Sequence, residues 1–298
     1  MDINAANMRF LFQAVSLRFK DAFETAREPS YEQFTMTERL ATHELQMPFL
    51  EQLTGMREWV GPRVVNNMAT NKMTIVPRKF ELTYGIPADA VKDDQYGMYA
   101  SLFAQMATQA ARLPNDLVET LLNNAATAKW CDGGNFFGTT RKYGKNAVAN
   151  LTTEALSETS LKAAWTAMRG YKGHGGVSLR VNPTLLVHGP ALHWTVNELL
   201  ESPVKGDANG ATVPNPVYHL VGHLEVQNLE GNKWFLCASN GVYKPVCYFE
   251  REAPGTLVRK DRPEDDNVFN EDSFLYGVTG RAEAAFVMPH LIYFGNAS

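Results

Sequence analysis

Histidine spacing offers the first candidate chemistry. His219 and His223 stand four residues apart, and on a helix such a pair could share a metal ion. Their neighbours Tyr218, Leu220, Val221, Leu224 and Val226 favour a strand instead. A strand would hold the two imidazoles about 13 Å apart at the usual rise per residue. His188 and His193 have the same weakness, and no HExxH pattern occurs. Cys131, Cys237 and Cys247 make no metal spacing, and an odd, low count points to buried free thiols in a reducing compartment. The glycine-rich run from Lys172 to Gly176 follows a helix, whereas a phosphate-cradling loop follows a strand and opens a helix. Ser239 and Ser273 lie in no GxSxG elbow. Asp132, Asp265 and Asp266 are conceivable catalytic carboxylates, but Asp265 and Asp266 fall in an acidic stretch, 262–267, that reads as a solvated turn. No nucleophile, base and orienting group come together. The expectation is a chain with no catalytic site, no metal and no organic cofactor.

Composition narrows the class further. The chain has 298 residues, 45% of them hydrophobic and 11% aromatic, enough for a substantial core in one large or two smaller domains. The formal net charge is -4 and no basic stripe is visible, which argues against a general nucleic-acid binder. A mildly acidic surface is compatible with enclosing DNA without adhering to it. No apolar run reaches the roughly 18 residues a membrane span needs. Arg9, Arg18, Lys20 and Asp21 interrupt what would otherwise resemble a signal peptide.

The elements that would position these residues follow from periodicity. Residues 1–30 read as an amphipathic helix with Met8, Leu11, Phe12, Val15, Phe19 and Phe23 at helical spacing. Such a helix packs on its own domain or reaches a neighbour as an arm. Residues 63–76 read as a hairpin, with Val64-Val65 and Thr74-Ile75-Val76 flanking the polar turn 69–72. Pro114 restarts a helix that continues through Leu117, Val118, Leu121 and Leu122. Residues 131–150 are loop-like. A second region opens near Leu151, with a helix carrying Leu161, Ala164, Trp165 and Met168 and ending at Gly170. A short buried strand at 184–187 turns through His188-Gly189-Pro190 into a helix with Trp194, Leu199 and Leu200. Residues 206–216 form the clearest flexible loop. Strands are expected at 217–226, 234–238, 242–249, 274–278 and 284–294.

The most informative stretch is 78–106. Phe80, Leu82, Tyr84 and Ile86 alternate with Lys79, Glu81 and Thr83, as in a half-buried strand. After Asp93-Asp94 the period becomes helical, with Tyr99, Leu102, Phe103, Met106 and Ala110 on one face, and the two carboxylates are expected at the positive end of that helix. A long half-apolar strand leading into a long helix needs surface from elsewhere, and a neighbouring copy could supply it.

Seven segments, in order, resemble the major head subunit of Mu-like bacteriophages and prophages. They are EWVGPR at 58–63, KFELTYGI at 79–86, DDQYGMY at 93–99, PNDLVETLL at 114–122, CDGGNFF at 131–137, KWFLCASNGVYKPVCYFERE at 233–252 and DDNVFNEDSFLYGV at 265–278. The resemblance covers roughly residues 50–290. It implies an α+β chain with the tailed-phage capsid fold of the Hong Kong 97 type. Residues 1–40 would be the N-terminal arm, 41–92 the extended loop hairpin and its base, and 93–150 the peripheral domain with its spine helix. Residues 151–228 would be the axial domain, and 229–298 the peripheral strands returning to it.

The implied function is that of a major capsid protein that self-assembles, as hexamers and pentamers, into an icosahedral shell around double-stranded DNA. The location implied is the virion capsid, with synthesis in the bacterial host cytoplasm. No long charged N-terminal scaffolding segment is present, so a separate scaffolding protein is expected beside a portal. The Lys–Asn cross-link of one member of the fold cannot be assigned to a pair here. The assembly residues expected are Trp59 at the base of the extended loop, Gly61 and Pro62 at its turn, and Arg63 paired with a carboxylate. Phe80, Leu82, Tyr84, Asp93 and Asp94 complete the set. Two rivals are an encapsulin-like nanocompartment shell protein, separable by its gene neighbours, and an unrecognised soluble α/β enzyme, separable by particle size on a gel-filtration column.

Overall fold

The computed structural model describes residues 5–48, 72–93, 98–143, 145–173, 176–206 and 211–297. Helix α1 (Ala5–Ala26) is followed by strands β1 (Thr35–Arg39), β2 (Leu45–Pro48), β3 (Lys72–Ile75) and β4 (Arg78–Pro87). Helices α2 (Ala88–Lys92), α3 (Met98–Ala111) and α4 (Leu113–Asn123) come next. Three two-residue strands, β5 (Lys142–Tyr143), β6 (Asn146–Ala147) and β7 (Leu151–Thr152), precede α5 (Glu158–Arg169). Then come β8 (Leu185–His188), α6 (His193–Val196) with a π turn to Glu201, β9 (Val204–Gly206), β10 (Thr212–Pro214) and β11 (Gly222–Glu225). The chain closes with β12 (Asn232–Cys237), β13 (Val246–Glu252), β14 (Leu257–Lys260), α7 (Asp266–Glu271), β15 (Ser273–Phe286) and β16 (Ile292–Ala297).

Strand β15 is the hub of the first sheet. Along one edge it pairs antiparallel with β4 from Ser273↔Pro87 to Ala282↔Arg78. Along the other it pairs with β14 and then with β13, and β1 lies parallel on the far side of β13. The sequence pattern places separate strands at 274–278 and 284–294, but β15 runs unbroken from Ser273 to Phe286. Gly280 is there because a Cβ would sit 3.0 Å from Pro254 and 3.1 Å from Leu113, so the missing side chain lets the start of α4 approach the strand.

The second sheet has the order β11-β8-β12-β16-β7. The fully buried run Leu185–His188 of β8 lies between β11 and β12, the position that a continuous apolar strand requires. Helix α5 is fixed locally: Ser157 and Ser160 form a capping box at its start, and Leu161, Ala164 and Met168 face the core. Helix α4 begins with proline in its first turn, where a missing N–H costs nothing.

An aromatic cluster joins the two sheets. Phe136 stacks on Phe286 of β15 at 5.0 Å, and Phe137 lies 5.0 Å from both Phe286 and Phe294 of β16. Phe294 in turn stacks on Phe235 of β12 at 4.7 Å. The loop-like stretch 131–150 is thus irregular in backbone but central to packing, with Phe136 and Phe137 buried.

Helices α1 and α3 cover one face of the first sheet. Val15 and Phe19 meet Phe103, Met106 and Ala107 over Phe274, Tyr276 and Val278. Within this chain, therefore, α1 lies on its own domain. On the other face Leu40, Ile75 and Met288 pack against Cys247 and Phe249, so both faces of β13 are buried.

Several local expectations are corrected. Strand β3 pairs with β2, Leu45↔Ile75 to Pro48↔Lys72, whereas Val64-Val65 lie outside the described residues. The register puts Pro48 opposite Lys72, so the chain leaves and re-enters this ribbon at one point. Residues 217–220 form a turn, because Asn215 and Pro216 initiate it: the Val217 N–H donates to Asn215 Oδ1 and the Leu220 N–H to Val217 O. Only Gly222–Glu225 is strand there. Val242 and Tyr243 are in an exposed loop, and the strand begins at Val246. The stretch 206–216 carries strand β10, paired antiparallel with β9, though 207–210 lie outside the described residues. The expected turn is present at 262–265, where the Asp265 N–H donates to Arg262 O and the Arg262 N–H to Asp265 Oδ2, both at 2.9 Å, but from Asp266 the chain is the short helix α7.

Candidate assembly surface

Strand β4 carries the residues singled out for assembly. Its alternation is visible in burial: Phe80 and Leu82 are half-buried and Ile86 is buried, whereas Lys79, Glu81 and Thr83 are exposed. The inward face is covered by this chain itself. Phe80 packs against the large core, and Leu82 and Ile86 pack with α1 and α3. The partner surface that the sequence seemed to lack is therefore supplied locally by β15 and the two helices. Tyr84 differs from its neighbours, because it lies opposite Tyr276 yet stays 38% exposed. At the head of the strand Arg78 forks onto Glu283 and lies 5.5 Å over the Phe80 ring.

Asp93 does not open the long helix. It is the C-terminal cap of α2, and its N–H donates to Asp89 O at 2.9 Å. The reason is that Pro87 starts a separate short helix immediately after β4. Asp94, Trp59, Gly61, Pro62 and Arg63 lie outside the described residues.

Large apolar side chains stand open on the single chain. Trp194 on α6 is 80% exposed, Phe269 on α7 is 83% exposed and Val242 is 90% exposed. Sequence periodicity missed these three. Trp194 occurs among other apolar residues, and nothing local distinguishes an outward ring from an inward one.

The histidines come together in a way that strand spacing does not allow. His219 sits in a left-handed turn (φ 49), which swings it towards the end of the α6 segment. There Glu201 Oε1 lies 3.8 Å from His219 Nδ1 and 3.4 Å from His223 Nε2. His223 Nδ1 is also 3.4 Å from the buried His188. Burial, above all other influences, pushes the pKa of His188 down. His193 Nδ1 meets Glu225 at 2.5 Å. Among the described residues no group of three or more His, Cys, Asp or Glu side chains is arranged to hold a metal ion. All three cysteines are free. Asp132 is bound to Arg141 at 3.2 Å and to the Gly134 N–H at 2.9 Å, which closes the turn at 132–134. Among the described residues no helix is long and apolar enough to cross a membrane.

The family model described as Mu-like prophage major head subunit gpT matches residues 8–154, 142–229 and 219–298. The chain is 24% identical over 287 residues to the major capsid protein of Escherichia phage Mu, covering 96% of this chain and 72% of that protein. It is 23% identical over 280 residues to the Mu-like prophage FluMu major head subunit of Haemophilus influenzae, covering 94% and 70%. Among solved structures it resembles a chain of the procapsid of bacteriophage JBD30, with a TM-score of 0.61 and 23% identity over 99% of this chain and 77% of that one. The fold is the α+β capsid fold of the Hong Kong 97 type.

Proposed function

The chain belongs to the family of Mu-like prophage major head subunits, and from that premise we propose how its elements build a capsid. It is a major capsid protein, a structural component of the virion rather than an enzyme, and copies of it assemble into the shell. The observation that carries this is a family match running from residue 8 to residue 298.

Within the shell, residues 1–40 act as the N-terminal arm and 41–92 as the extended loop with its base. Residues 93–150 form the peripheral domain, 151–228 the axial domain, and 229–298 the strands that return between them. The paired ends of β2 and β3 support the extended-loop reading, since the chain between them departs and returns at one place. Trp59 anchors the loop's base, Gly61 and Pro62 set its turn, and Arg63 pairs with a carboxylate of this or a neighbouring copy. Phe80, Leu82 and Tyr84 with Asp93 and Asp94 hold the loop's root against the subunit body. Heterologous contacts of this kind close into rings, here hexamers and pentamers. The β9–β10 ribbon lies near the axis of each ring and differs in shape between the two ring types. A scaffolding protein and a portal act with the chain during assembly in the bacterial host cytoplasm. The net charge of -4 supports enclosure of double-stranded DNA without sequence-specific binding.

Negative-stain imaging of the expressed chain tests this reading. Ring-sized or shell-sized particles are expected, with fewer from Arg63→Ala although the variant subunit stays folded and soluble. A chain that stays monomeric with and without a scaffolding protein would overturn the assembly reading, and normal shells from Arg63→Ala would remove the role given to that arginine.

A further inference from the structure

The chain leaves the second sheet's neighbourhood at Glu201 and returns through His219 and His223, with the β9–β10 ribbon between. Hydrogen bonds pin the ribbon's base. The Asn215 N–H donates to Pro203 O at 2.9 Å, Asn215 Nδ2 donates to Leu199 O and Ser202 O at 2.8 Å each, and the His219 N–H donates to Leu200 O at 2.9 Å. Beside them, one carboxylate oxygen that precedes the ribbon faces two imidazoles that follow it: Glu201 Oε1 is 3.4 Å from His223 and 3.8 Å from His219.

The hydrogen positions follow from counting donors and acceptors. His188 Nδ1 lies 3.0 Å from Gly189 O, which can only accept, so Nδ1 carries hydrogen. His188 is fully buried and neutral, and its Nε2 lone pair faces His223 Nδ1. His223 Nδ1 is then the donor. A neutral His223 would turn its second lone pair towards the Glu201 carboxylate, acceptor against acceptor. A charged imidazole can face both partners as a donor, Nδ1 towards His188 and Nε2 towards Glu201.

We propose that His219, His223 and Glu201 form a proton-operated clasp at the base of the β9–β10 ribbon, closed when the imidazoles are charged and released when they are neutral. The other charged groups nearby are already engaged. Glu225, on the same strand as His223, takes the Nδ1–H of His193, and His193 Nε2 accepts from Asn197 at 2.9 Å. On the ribbon itself Lys205 is bound by Glu158 of α5, which also holds Lys162 at 2.5 Å. The clasp is thus the part of the ribbon's attachment that is built on imidazoles. Histidine is the side chain whose charge changes between about pH 5 and 8. Both imidazoles and the carboxylate are partly solvated, which limits the effect to about two- to fivefold in local opening.

Hydrogen exchange on the full chain, at about pH 5.5 and about pH 8, reads the clasp directly. Protection factors, corrected for the pH dependence of intrinsic exchange, are compared for peptides covering 199–206 and 212–219. Protection about two- to fivefold higher at the lower pH is expected, with a β12 peptide unchanged. The difference should vanish in Glu201→Gln, an isosteric change. The double change His219→Gln with His223→Gln gives the same reading from the other side of the clasp should the first variant not fold. Equal protection at both pH values, or a pH difference that survives either substitution, would overturn the proposal.

Discussion

Arg78 and Glu283 join β4 to β15 through two parallel hydrogen bonds, Nε to Oε2 at 2.6 Å and Nη2 to Oε1 at 3.0 Å. The pair sits where β15 passes from its pairing with β4 into its pairing with β13 alone. The Glu283 hydrogen bond, ahead of the opposing cost of burial, raises the Arg78 pKa. Both side chains are partly solvated, at 58% and 23% relative exposure, so the fork is worth far less than a buried pair. Arg78→Ala should cost about 1 kcal/mol of subunit stability. A double-mutant cycle with Glu283→Ala, read by urea unfolding, should give a coupling energy of that order. Zero coupling would mean that the fork orients β4 without stabilising it.

Phe136 should be among the costliest truncations. It touches Trp130, Phe137 and Phe286 and has no exposed surface. Phe136→Ala leaves a cavity between the two sheets, with an expected loss of about 3–5 kcal/mol. Phe136→Leu should lose markedly less. Urea midpoints of the unassembled subunit check both, and a loss below about 1 kcal/mol for the alanine variant would contradict the packing role.

His290 gives stability a sign with respect to pH. It is buried, its Nδ1 lies 3.1 Å from the Tyr143 hydroxyl, and burial pushes its pKa down to about 4. Its folded value is therefore below its unfolded one of about 6.5. Between these values the unfolded chain holds a proton that the folded chain refuses, so this residue's contribution is intact above about pH 6.5 and declines as pH falls towards 4. The decline from this residue is of order 3 kcal/mol. His290→Gln should flatten the slope of stability against pH across that window. An unchanged slope would show that other groups set it.

The cysteines should differ in reactivity. Burial raises the pKa of both Cys237 and Cys247 and keeps reagents away, whereas Cys131 is only half-buried. Alkylation of the native chain should therefore label Cys131 first, and denaturation should expose all three. Equal labelling of the three in the native state would contradict the burial of β12 and β13.

What the sequence determined by itself is the part governed by neighbours along the chain. The proline in the first turn of α4 and the alternation from Phe80 to Ile86 are short-range signals, and each appears where expected. Ordered motifs carried the family as well, because they are strings rather than contacts. Tertiary structure decided the rest. It made β2 the partner of β3, ran β15 through Gly280 and drew Phe136-Phe137 from a glycine- and asparagine-rich stretch into the centre of the core. It also bent residues 217–220 so that two histidines assigned to opposite ends of a strand reach one glutamate. These outcomes depend on which distant surfaces meet, and burial rewards that meeting wherever the residues lie in the chain. Local periodicity carries no record of it.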